Sequence, residues 1–180
     1  MIKIKHIAFI ALFAALIAGG GFLRIPLPFS PIPLVLQNLF IVLSGLVLGP
    51  VLGSGAVSLF LLAGALGLPV FSGAGGGIAR FASPTGGYLL GYFFAALTAG
   101  FAAGKPHKNI SFFRIVLAAT AGFLSVYVPG LLWLYRFTGN WPKTFAAGFF
   151  PFIIGDTIKI AIVSLSAKRL RKTAADQLNG

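Results

Sequence analysis

The stretch LVLQNLFIVLSGLVLGPVLGSGAVSLFLLAGAL, residues 34–66, contains no Lys, Arg, Asp or Glu, and the uncharged interval around it runs from 25 to 79. A helix crosses the hydrocarbon of a bilayer with about 20 apolar residues, so this interval has room for two spans. They are expected at 34–48 and 51–66, both short, with GPVLG (49–53) dividing them. Two further uncharged intervals, 81–104 and 115–135, hold one span each, and apolar runs at 4–23 and 145–167 flank the set. The expectation is an all-α integral membrane protein forming one transmembrane domain over 1–180. Its six transmembrane helices fall at 4–23, 34–48, 51–66, 85–104, 112–135 and 145–167. Composition agrees. Hydrophobic residues make up 58% of the chain, charged residues 9%, and mean hydropathy is +0.98, whereas a soluble domain would need about a quarter of its residues charged.

The net charge of +12 would suggest nucleic acid in a soluble protein, but its distribution points to topology. With six spans both termini share one side, which receives Lys3, Lys5, Lys105, Lys108, Arg114, Lys168, Arg169, Arg171 and Lys172. The other side receives Arg24, Arg80, Arg136 and Lys143. The positive-inside rule makes the richer side and both termini cytoplasmic. The basic run KRLRK (168–172) is then an anchor beside anionic lipid, not a nucleic-acid arm. The first segment is not read as a signal peptide, because its apolar run is too long and no small-residue cleavage site leads into a polar domain. The absence of Cys excludes disulfides and thiolate chemistry. His6 and His107 lack acidic or thiol partners, so neither a metal site nor an enzymatic nucleophile–base set is expected. Gly73, Gly75 and Gly77 lack the strand and helix of a dinucleotide loop, and GFAAGKP (100–106) is one residue short of a phosphate loop. Any ATP-driven role would need a partner protein.

The loops are unequal. RIPLPFSPIP (24–33) carries four prolines and is expected to be extended. GLPVFSGAGGGIARFASPTGGY (67–88) is glycine-rich, apolar and nearly uncharged. Non-helical backbone near a membrane is tolerated where it lines a cavity or is covered by protein, so this segment reads as the wall or lid of a pocket on the outer face. RFTGNWPK (136–143) is a third outer loop. In the first span Ala11/Ala15, Ala14/Ala18 and Ala15/Gly19 repeat at four-residue spacing, which allows close helix approach. Such a stripe serves packing within the bundle or docking of another membrane protein.

Chemistry concentrates in FFPFIIGDTIKIAIV (149–163). Asp156 is one of two acidic residues in the chain, and Lys159 follows it by three, on the same face of a helix. In a span over 145–167 Asp156 lies at the midpoint, where a charge costs about 2.5–3.5 kcal/mol. Pro151 and Gly155 are expected to weaken the helix just before it. The pair either neutralises itself or awaits a ligand with both donors and acceptors. Arg80, the one charge in the glycine-rich loop, is a solvated side chain or an anchor for a carboxylate. Gln37 is an interhelical hydrogen-bonding residue or a ligand contact. Tyr127, Trp133, Tyr135, Phe137 and Trp141 read as an interfacial aromatic belt.

LGLPVFSGAGGGIARFASPTGGYLLGY (66–92) and GFFPFIIGDTIKIA (148–161), together with SPIPLVLQNLFIVLSGLVLGP (30–50), resemble the signature segments of the BioY family. That family comprises the biotin-specific substrate-capture subunits, or S components, of energy-coupling factor transporters. Val35 and Ser83 stand where the family usually carries Thr and Gly. The resemblance implies a six-helix fold capturing biotin from outside, with no cofactor of its own. It implies association with a transmembrane coupling protein and two cytoplasmic ATPases, through a first-span face that includes Ala11 and Ala15. It places Asp156 and Lys159 in the binding site. Phe71 and Tyr88 are expected to cover the ligand's rings and chain, Arg80 to meet its carboxylate, and Gln37, Thr85 and Gly87 to complete the pocket. The rival expectation is a self-sufficient ion-coupled carrier for a small carboxylated metabolite, which the absence of an inverted repeat disfavours.

Overall fold

Gly49 decides the course of the second apolar stretch. The helical stretch α2 (Gln37–Ala65) is two helices meeting at a kink, because Gly49 leaves helical geometry at φ 82° and ψ 179°, a conformation open to glycine and strained for other residues. Pro50 then starts the next arm, at a position where its missing N–H costs nothing. The arms 37–48 and 50–65 fold back on each other. A Cβ on Gly53 would lie 2.7 Å from Gly45 Cα, and Ser44 Oγ donates to the Gly53 carbonyl at 3.3 Å. One long helix is therefore a hairpin of two short spans.

The structure, a computed structural model, describes residues 4–104, 106 and 110–179; Lys3, Lys105, His107 and Lys108 lie outside the described residues. Around the hairpin stand α1 (Ile4–Gly20), α4 (Gly86–Ala103), α5 (Phe112–Thr138) and α7 (Ile153–Asn179), with the short helices α3 (Ala79–Ala82) and α6 (Trp141–Gly148) between them. These give six apolar helical segments, counting each arm of α2. A two-residue ladder, β1 (Arg24–Ile25) with β2 (Leu34–Val35), closes the proline-rich loop. Helix α4 packs on both α2 and α5, and α7 packs on α2 and α5. Small residues permit this, since a side chain on Gly45 would strike the Ala96 carbonyl. Phe60, Phe123, Ile17, Ile41 and Val163 fill the centre, whereas Leu62, Phe101, Leu124, Val128, Ile158 and Leu165 are exposed around the perimeter, as in a bundle whose solvent is lipid.

The helix of the last expected span, 145–167, is interrupted. Phe149 breaks the chain at φ −130° and ψ −62°, and a 3₁₀ turn at Phe150–Phe152 carries Pro151. Helix α7 starts only at Ile153 and runs to Asn179. Pro151 supplies no N–H and restrains the residue before it. Asp156 consequently lies in the first turn of α7 and not inside a continuous helix over 145–167, and the positive end of the helix dipole favours a carboxylate there. The basic run KRLRK continues the helix. Arg171 is buried, donating to the carbonyls of Leu46, Ala103 and Gly104, and so satisfies helix-end carbonyls instead of standing free beside lipid.

Candidate ligand-binding site

Three side chains form a closed ring at the start of α7. Lys159 Nζ lies 3.2 Å from Asp156 Oδ1 and 2.9 Å from Asn38 Oδ1, and Asn38 Nδ2 donates to Asp156 Oδ1 at 3.2 Å. The ammonium carries only donors, so it fixes which end of the Asn38 amide faces it. Tyr127 donates its hydroxyl to Asp156 Oδ2. The Asp156 and Lys159 side chains are 9% and 4% exposed. Such a pair gains little net stability, because desolvation offsets its attraction. Its capacity is also unspent. Lys159 retains a third N–H with no acceptor among the described residues, and Asp156 retains a lone pair. The arrangement can hold one group that offers a carbonyl and an N–H side by side.

The ring opens on a small chamber of about 40 Å³, walled by Tyr88, Tyr92, Tyr127 and Phe152. Ile32, Pro33, Val35 and Tyr92 also line a larger chamber of about 290 Å³ under the glycine-rich loop. That loop is tied down at several points. Phe71 and Gly75 exchange backbone hydrogen bonds of 2.9 and 3.2 Å, the Gly77 N–H reaches the Gly64 carbonyl at 2.7 Å, and Trp133 Nε1 donates to the Ser83 carbonyl at 2.9 Å.

The residues singled out from the sequence divide between the chambers. Asp156, Lys159 and Tyr88 face the small one, and Tyr88 also donates to the Gly148 carbonyl at 2.9 Å. Gln37, Phe71, Arg80 and Thr85 line the large one. Gln37 is 1% exposed and its Nε2 is held by the Val70 carbonyl at 3.0 Å. Phe71 packs edge-on to Phe60 and Phe81 at 5.4 and 5.7 Å. Thr85 pairs with Ser83 through their hydroxyls. Gly87 lines neither chamber; it lies against Pro129 and Trp133, where the absence of a side chain lets α4 approach α5. Ala11 and Ala15 are exposed on the outside of α1, while Phe13, Ala14 and Ile17 face inward.

One member of the ring, Asn38, and the Tyr127 donor beside it are absent from the set expected from the sequence. Asn38 adjoins Gln37 and is an amide inside an uncharged apolar stretch, a signal of the same kind as Gln37. Tyr127 donates to the ring's carboxylate and does not belong to an aromatic belt. Its place near the middle of α5 (Phe112–Thr138) is too deep for a headgroup-level residue. Trp133 likewise serves the loop, with Arg136 over its ring at 4.8 Å.

Comparison with known proteins bears on the family and the fold. The model of the BioY family matches residues 1–176. A Pyrococcus horikoshii chain named "Probable biotin transporter BioY" is 40% identical over 94% of this chain and 98% of its own. "Biotin transporter BioY" of Thermotoga maritima is 37% identical over 92% and 95%. A crystal structure of the S-component for biotin from an ECF-type ABC transporter superposes with a TM-score of 0.84 at 32% identity, covering 94% of this chain and 92% of that one. The chain is thus a multi-pass membrane protein, and it belongs to the BioY family.

Proposed function

We propose that this chain is the substrate-capture subunit of an ECF-type transporter and binds biotin between the two chambers. The ureido ring of biotin presents one carbonyl acceptor flanked by two N–H donors. The observation that carries the reading is the unspent donor of Lys159 beside the unspent lone pair of Asp156, in a chamber that shares four lining residues with the larger one. A ligand lacking those groups would leave buried polar atoms unpaired, which is how such a site rejects it. Tyr88 and Phe71 cover apolar parts of the ligand, Gln37 and Thr85 border its path, and Arg80 meets the carboxylate. The six segments act as one transmembrane domain in a prokaryotic cell membrane, with both termini cytoplasmic and the chambers outward. The exposed Ala11 and Ala15 face of α1 is unused by the bundle, which suits docking of a membrane coupling protein that carries the ATPases.

Calorimetric titration of the purified chain with biotin, desthiobiotin, riboflavin and thiamine tests this. Biotin and desthiobiotin, which share the ureido group, are expected to bind, and the other two are not. Asp156→Asn is expected to abolish the biotin signal. Retained affinity in that variant would remove Asp156 from the site, and no binding of biotin by the wild type would end the reading.

A further inference from the structure

The larger chamber has two cations and no anion among its lining residues. Arg24 extends from β1 opposite Val35, and its guanidinium lies over Gly73, where any side chain would collide with it. Arg80 lies over Gly75 in the same way. Gly73 has φ +74°, and its N–H reaches back to the Gly21 carbonyl at 3.4 Å, so the loop turns where Arg24 crosses it. Neither guanidinium donates a hydrogen bond to a described residue. Ser72 stands between Phe71 and Gly73, lines this chamber, and has a buried Oγ with no partner. Buried hydroxyls are nearly always paired, and the two arginines, both exposed residues, line the same chamber with their forks uncommitted to acceptors among the described residues, so an acceptor entering it meets donors from three residues. Of the two acids in the chain, Asp156 is engaged in the other chamber and Asp176 lies in the last turns of α7.

We infer that Arg24 acts with Arg80 as a two-guanidinium clamp on the carboxylate of the ligand, with Ser72 Oγ as a further donor. The inference rests on the biotin-capture reading and adds a residue that sets specificity. A carboxylate offers about four lone-pair sites, enough for two forks and a hydroxyl, and its charge relieves the repulsion between the arginines. An uncharged tail does neither. The larger chamber thereby selects the ionised acid over its amides and conjugates, while the smaller one selects the cyclic urea.

The test is calorimetry of the full chain with biotin and biotin amide. The wild type is expected to hold the acid at least about 100-fold tighter than the amide. Arg24→Gln is expected to weaken the acid about tenfold, the size of one lost charge-assisted contact, and to leave the amide within about twofold. Arg24→Gln combined with Arg80→Gln removes the preference. Equal losses for both ligands would make Arg24 a scaffold for the Gly73 turn, and an unchanged acid affinity would also overturn the clamp. Should Arg24→Gln fail to fold, Arg24→Lys decides, because it keeps the charge but loses the fork. A loss of about threefold for the acid alone supports the clamp, and none overturns it. Tight binding of both ligands without preference defeats only the clamp, whereas binding of neither defeats the capture reading.

Discussion

Helix α7 carries two buried cations, Lys159 and Arg171, 3% and 4% exposed, and they do opposite things. Arg171 spends its guanidinium on the carbonyls of Leu46, Ala103 and Gly104, where the end of one α2 arm and the end of α4 would otherwise leave acceptors bare. Lys159 faces an acid and an amide beside a chamber and keeps one donor in hand. Burial of a charge is therefore not in itself the mark of a site. What marks Lys159 is the acid and amide it shares and the chamber its ring lines.

The sharpest way to break this contrast is to remove each cation. Lys159→Ala is expected to weaken biotin binding by more than about 100-fold, since it deletes a donor and leaves Asp156 uncompensated. In the double variant Asp156→Leu with Lys159→Met, binding is lost, but thermal unfolding occurs at the same temperature or higher, as apolar replacement of a buried pair often gives. Arg171→Met is expected to behave inversely. Stability falls by about 2 kcal/mol, roughly 4–8 °C in melting temperature for a chain of this size, and calorimetry gives biotin affinity within about twofold of wild type. A large affinity loss in Arg171→Met would join the two ends of the bundle and end the distinction.

Asn38→Ala comes next. Asn38 bridges the acid and the ammonium, so its loss is expected to weaken biotin about tenfold by leaving the ring short of one donor and one acceptor. Unchanged affinity would mean that Asp156 and Lys159 hold their geometry without it.

These residues also show what the sequence made legible. The uncharged intervals and the Gly49–Pro50 turn could be read because membrane length and backbone chemistry are local properties. So could the joint face of Asp156 and Lys159, three residues apart on one helix. Asn38 is 118 residues from Asp156, and only the packing of α2 on α7 brings them together. Arg171 misled because every basic residue counts alike towards the charge bias, whether it ends in headgroups or among carbonyls. Gly87 misled for a related reason: in a glycine-rich segment, a glycine that admits a neighbouring helix looks the same as one that borders a pocket. The late start of α7 was half visible in Pro151, but where the chain resumes helix depends on Phe149 and its packing against Tyr127 and Phe145.

The smallest effect is expected at Tyr127, and its sign is informative. Tyr127 gives Asp156 Oδ2 its one donor among the described residues, and an incoming N–H can use the other lone pair of that oxygen. The ring of Tyr127 is held edge-on by Phe149 at 4.8 Å and Tyr88 at 6.3 Å, so the hydroxyl is positioned to stay in place when the ligand arrives. Tyr127→Phe should then weaken biotin by about threefold or less, the low end for a single hydrogen bond that steadies another group. If the ligand instead evicts the hydroxyl, the variant begins with a carboxylate already short of a donor, and its calorimetric affinity rises. A tenfold gain would show that the small chamber, about 40 Å³ as it stands, opens by swinging Tyr127 aside.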